Sequence, residues 1–249
     1  KSRPFPRIVV MKADLEKFDF IVDLLGGDGS LGSEAKGRVN MPKRLQQVSA
    51  GILALFLVVS IAVSPTGAAA DDAAQARTFI VELAEKAVTS LTTEGIDQTE
   101  RRDRFRKLML EYFAFKGIAK WVLGRYWRRA SGDEREQYLA LFEKLMVVVY
   151  ADRFAKYSGE KLDVGKSELR SGNDILVHST IRRPEGLKPV AVAWRLRKLK
   201  DKFKIVDVMV EGLSMGLTQQ KEFSSVIRQN GGKVQGLLDE LKKRLDANT

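Results

Sequence analysis

The sequence contains no cysteine and a single histidine. Without cysteine there are no disulfides and no thiol nucleophile, so an oxidising compartment is permitted but not exploited. His178 stands alone in an alternating stretch and cannot build a histidine-based metal cluster by itself. No G-x-S-x-G elbow surrounds a serine, and Ser224 and Ser225 sit in a helical pattern. The phosphate-cradling glycine patterns are missing as well. Gly231-Gly232 closes a helix instead of opening one after a strand, so it makes a poor phosphate loop. Asp207 and Glu211 share a strand face, but four residues of strand span ~13 Å, too far for a paired-carboxylate hydrolase unless the strand bends. Nothing in the chain reads as a catalyst.

The chain does carry positive charge and a leader-like segment. It has 249 residues and a formal net charge of +11. From Met41 the order is Lys43 and Arg44, an almost wholly apolar run from Ala50 to Val63, Pro65 and Gly67, then Ala68-Ala69-Ala70. These are the three parts of a cleaved secretory signal. The apolar run is shorter than the ~20 residues of a spanning helix, which favours cleavage over anchoring. The expected organisation is therefore an upstream extension at 1–40, a signal peptide at 41–70 and one mature domain at 71–249. Residues 1–70 hold nine Lys/Arg and six Asp/Glu, which leaves +8 on the mature part. Such a charge suits nucleic acid, an anionic membrane surface or an acidic partner. Export argues against nucleic acid. Two basic runs, 101–107 and 195–204, are either solvated faces or docking surfaces.

Two periodicities divide the mature domain. From Asp71 to about Tyr157 apolar residues recur at helical spacing. Phe79, Leu83 and Val88 mark a first helix; 101–115 a second; "FKGIAKWVLGRYWRRAS" a third. Ser131 is the expected N-cap of a long fourth helix whose stripe includes Tyr138, Phe142, Leu145, Val149 and Tyr150. From Lys161 the period becomes two, and four strands separated by short turns predict an antiparallel meander. In the third strand Val190, Val192, Trp194 and Leu196 share a face. In the fourth, Val206, Val208 and Val210 oppose Ile205, Asp207 and Met209. Helix resumes with Thr218 as the expected N-cap, bends at Asn230-Gly231-Gly232, and a last amphipathic helix follows. The fold class is α+β: a helical N-terminal half, a four-stranded antiparallel sheet and C-terminal helices. The many large rings either fill the core or line a cavity, and periodicity does not decide between these.

The string "VLGRYWRRASGDEREQYLALFEKLMVVVYADRFAKYSGEKLDVG", the strand "VAVAWRLRK" and "KIVDVMVEGLSMGLTQQKEFSSVIRQNGG" together resemble the MlaC family of periplasmic phospholipid-binding carriers, also called toluene-tolerance proteins. The resemblance runs from Asp71 to Leu245. Family members often carry an aspartate after the phenylalanine where this chain has Phe115-Lys116-Gly117. The resemblance implies an apolar cavity between sheet and helices, with phospholipid as carried ligand and no other cofactor. It implies a monomeric shuttle between an outer-membrane lipoprotein–porin complex and an inner-membrane ABC transporter with an MCE-domain subunit, sustaining outer-membrane lipid asymmetry. No catalytic residue carries over. The candidate tail contacts are Val192, Trp194, Val208, Val210, Leu213 and Met215 from the sheet side, and Trp121, Leu145, Val149 and Tyr150 from the helices. A periplasmic enzyme using Asp207 or Glu211 as general base, or a ligand-free envelope adaptor, are the alternatives.

Overall fold

The computed structural model describes residues 67–184 and 187–247. The expected upstream extension and nearly all of the expected signal lie outside the described residues; Gly67 to Ala70 form the first turn of the first helix. Four helices come first: α1 (Gly67–Leu91), α2 (Gln98–Tyr112), α3 (Phe115–Leu123) and α4 (Gly132–Phe154). Five strands follow, β1 (Lys161–Leu169), β2 (Asp174–Arg182), β3 (Val190–Leu199), β4 (Lys202–Val210) and β5 (Leu213–Ser214). The chain ends with α5 (Met215–Gln229) and α6 (Val234–Asp246). The sheet is an antiparallel meander in the order β1-β2-β3-β4-β5. None of the described helices is long and apolar enough to cross a membrane.

Local chemistry sets the joints. Ser131 accepts from the Glu134 N–H while the Glu134 carboxylate accepts from the Ser131 N–H, a capping box that starts α4 where the sequence indicated. The third expected helix is cut short, because Gly124 adopts φ 58° and ψ −132° and the chain tightens into a 3-10 turn, Gly124–Arg128. That conformation needs glycine. The β3–β4 and β4–β5 turns place Lys200-Asp201 and Glu211-Gly212 at positive φ, the hairpin geometry that matches strand twist. Two residues after Glu211-Gly212 pair back onto β4, so the sheet has a short fifth strand that the meander reading of four strands omitted.

β4 also departs from strict alternation. Arg195 pairs with Asp207 and Leu196 with Ile205, leaving Val206 as the extra residue of a bulge. Ile205 thereby moves to the face of Leu196 and Val208, where it is fully buried, instead of joining Asp207 as alternation predicts. The helix after the sheet starts earlier than expected: Ser214, not Thr218, is its N-cap and accepts from the Leu217 N–H.

The apolar interior is divided. One group is helical and centres on the aromatic stack of Tyr138, Phe142 and Phe115, with Phe223 edge-on to the first two. Tyr138 donates its hydroxyl proton to the Ala119 carbonyl at 2.9 Å, and burial pushes that hydroxyl well above the ordinary tyrosine range. A second group joins Ala76, Ile80 and Leu83 of α1 to Ile175, Val177, Leu196 and Ile205 of the sheet. The third belongs to the sheet.

Candidate functional site

Val190, Val192 and Val210 are buried together, with Ile181, Trp194, Val208 and Met215 partly buried against them. All but Met215 stand on strands, on the sheet face that also meets α1. Met215 is the first residue of α5. Among the described residues no side chain of α1, α2, α3, α4 or α6 belongs to this patch. The helical group in turn contains no strand residue. A single domain normally closes one contiguous core; here the buried valines of the sheet form a group apart from the helical one. α4 packs on α2 and α6 and makes no comparable packing with any strand.

Polar satisfaction fixes the patch. The Trp194 indole N–H donates to the Ser179 hydroxyl at 2.9 Å, and that hydroxyl donates to the Val192 carbonyl at 3.1 Å. A buried serine is thus satisfied, and the indole is held on the patch with its polar atom occupied. Trp194 and Val208 belong both to this patch and to the α1–sheet group, so they form the seam between them. Leu162 pairs with Ile181, and Val164 with Ser179, which continues the face to β1. Between that strand and α1 lies a groove of about 340 Å³, lined by Arg77, Val81, Ala84, Leu162 and Val164 among others. Arg77 spans it and donates to the carbonyls of Val164 and Gly165.

Five of the ten expected contacts therefore come together: Val192, Trp194, Val208, Val210 and Met215. Leu213 pairs with Val210 on the edge strand and is 56% exposed, at the rim. Leu145 and Val149 pack with the helical group. Tyr150 keeps accessible surface, yet burial pushes its hydroxyl above the ordinary tyrosine value, with Glu222 reinforcing and Arg153 opposing. Trp121 lies elsewhere. Its ring stacks under Arg195, 5.7 Å from the guanidinium, and Arg195 points from the sheet face opposite Trp194. Val190, placed on this face by alternation, was not among the expected contacts, nor were Ile181 and Ser179. The alternation of β2 could have found Ile181; a serine carries no apolar signal.

The carboxylates that could have served a base are occupied. Asp207 is 4% exposed and accepts from the Val208 N–H, the Ser214 hydroxyl and the Gly216 N–H. It ties β4 to the start of α5, which explains the tidy strand-to-helix joint. Glu211 accepts from the Ala191 N–H at 2.6 Å. Both carboxylates thus have a place in the local backbone geometry.

Comparison with known proteins agrees with this geometry. The family model described as MlaC protein matches residues 81–243. The intermembrane phospholipid transport system binding protein MlaC of Haemophilus influenzae is 25% identical over 138 residues, 54% of this chain and 64% of that protein. Toluene tolerance protein ttg2D of Pseudomonas putida is 19% identical over 124 residues, 49% of this chain and 57% of that protein. The aligned region thus spans less than two thirds of either relative. The structure of the phospholipid-binding protein from Ralstonia solanacearum, in complex with a phospholipid, superposes with a TM-score of 0.63 at 21% identity. That match covers 70% of this chain and 98% of the other, and shows a shared fold.

Proposed function

The chain belongs to the MlaC family, and on that premise we propose that it is a periplasmic phospholipid carrier whose acyl chains lie on the sheet patch of Val190, Val192, Trp194, Val208 and Val210. The observation that carries this reading is the divided interior: an apolar sheet surface and a helical core that share no buried residue. A lipid tail exposed to water costs ~0.8 kcal/mol per CH₂, so a two-tailed lipid needs a protein cover to cross an aqueous space. A carrier needs apolar area and no reactive group, in keeping with the engaged Asp207 and Glu211.

In the fuller reading, a signal peptide at 41–70 directs export and is removed, and residues 71–249 act as a monomer. They shuttle phospholipid between an outer-membrane lipoprotein–porin complex and an inner-membrane ABC transporter with an MCE-domain subunit, and so sustain outer-membrane asymmetry. The name of the Haemophilus relative, a binding protein of an intermembrane phospholipid transport system, supports the part of this reading that concerns transport between membranes.

The expected outcome is that the purified protein moves a fluorescent phospholipid from donor to acceptor vesicles, at a rate proportional to its concentration. Transfer no faster than in buffer would remove the carrier reading.

A further inference from the structure

The two basic runs singled out from sequence are largely spent inside the fold. In the first, Arg102 pairs with Asp152, Arg104 with Glu100 and Arg106 with Glu143, while Arg101 donates to the carbonyls of Leu91 and Ile96. In the second, Arg195 and Arg197 face Asp174, Lys198 pairs with Asp72, and Lys204 donates to the Glu111 carbonyl. A denser group of unpaired cations lies in a segment that neither run includes. Between Glu111 and Asp133 the chain carries Lys116, Lys120, Arg125, Arg128 and Arg129 and no aspartate or glutamate. All five are exposed, and none forms a salt bridge among the described residues. Lys116 and Lys120 stand four apart on α3, a like-charge spacing that weakens a helix unless something opposes it.

The end of α3 packs against the start of α5, beside the edge strand at the rim of the patch. Gln220 of α5 donates to the Trp121 carbonyl at 2.5 Å, and the Gly216 backbone lies against the Trp121 ring, so the start of α5 is seated on the end of α3. There Leu217 is 41% exposed and Leu213, paired with Val210 of the patch, is 56% exposed; Lys221 adds an exposed cation.

We propose that α3 and its 3-10 turn, together with Leu213 and Leu217, dock the protein on the surface of an anionic phospholipid bilayer, with the rim of the apolar patch turned toward it. Exposed leucines flanked by cations suit a lipid interface, where the leucines enter the acyl boundary and the cations meet phosphates. An acidic protein surface would use the cations but leave the leucines without a role. The purpose of this surface rests on the carrier reading; its geometry does not.

The test is flotation of the protein, as purified from its cells, with vesicles of phosphatidylcholine alone or mixed with phosphatidylglycerol, at low and high salt. The unmodified protein should bind only the anionic vesicles, and salt should weaken binding. The variant Lys116→Glu/Lys120→Glu/Arg128→Glu should bind about 100-fold more weakly, the loss that three surface cations imply. Lys161→Glu/Lys202→Glu/Lys243→Glu makes the same charge change at exposed lysines elsewhere and should bind nearly as the parent does. Leu213→Ser/Leu217→Ser should also weaken binding. Equal losses in both triple variants would reduce the effect to net charge and overturn the proposal. Absence of binding to any vesicle would overturn it too and assign the surface to an acidic protein partner. Bound phospholipid is measured on every sample, so failure of the carrier reading appears as empty protein whatever the vesicles show.

Discussion

Replacing Val208 by tryptophan should cost the protein its phospholipid and leave its fold intact. Val208 stands on the sheet patch between Trp194 and Val210, at the seam with the α1–sheet group, and is only partly buried. In a filled interior the added ring would force neighbours off their rotamers and cost about 1–3 kcal/mol. Where the patch instead faces space that acyl chains fill, the ring has room. It would occupy volume that acyl chains use, and its own burial would offset the change. The bond from the Val208 backbone N–H to the Asp207 carboxylate does not involve the side chain and is kept. The measurements are thermal melting and phosphorus content of the purified variant. The account expects a midpoint within a few degrees of the parent and at least a tenfold fall in bound lipid. A lowered midpoint with lipid retained would mean that Val208 is packed core.

Gly216→Ala is expected to be the most destabilising methyl addition in the chain's second half. A Cβ at this position would run into Cζ3, Cη2 and Cε3 of Trp121. Neither partner can easily yield. The Gly216 N–H is held by Asp207, while the Trp121 ring lies under Arg195 and the Trp121 carbonyl accepts from Gln220. The expected loss is about 3 kcal/mol, at the upper end of ordinary overpacking. For a domain of this size that lowers the melting midpoint by roughly 6–12 °C. Adding Trp121→Leu should recover part of the loss by removing the ring, a non-additivity that neighbouring sites show. An unchanged midpoint in the single variant would mean that α3 and α5 are not locked together here. The result also locates Trp121: its ring wedges two helices, on the sheet face away from the patch.

Much of the fold was legible because it rests on local signals. Helical spacing, the Ser131 capping box and the Asn230-Gly231-Gly232 bend each announce themselves over a few residues. Errors fell where a tertiary pairing overrides a local rule. Gly124 reads as a tolerated helix residue until its positive φ is seen. Val206 keeps the alternation of β4 unbroken on paper, while pairing with β3 makes it a bulge and turns Ile205 inward. Thr218 is a good capping residue, but Ser214 lies nearer the carboxylate of Asp207 that fixes the joint. The patch was half legible. A period of two assigns Val192, Trp194, Val208 and Val210 to one face; it says nothing about what covers that face. Trp121 was grouped with them for size and hydrophobicity, and only the stacking on Arg195 separates it. Resemblance to a known family supplied the expectation of a cavity, which periodicity could not.

The central claim is that the sheet patch holds phospholipid. Native mass spectrometry of protein purified without detergent, followed by lipid extraction of the same sample, tests it most directly. The account predicts a bound mass matching phospholipid, with lipid recovered in stoichiometric amount. A protein that flies at its bare mass and stays so after incubation with phospholipid would contradict it.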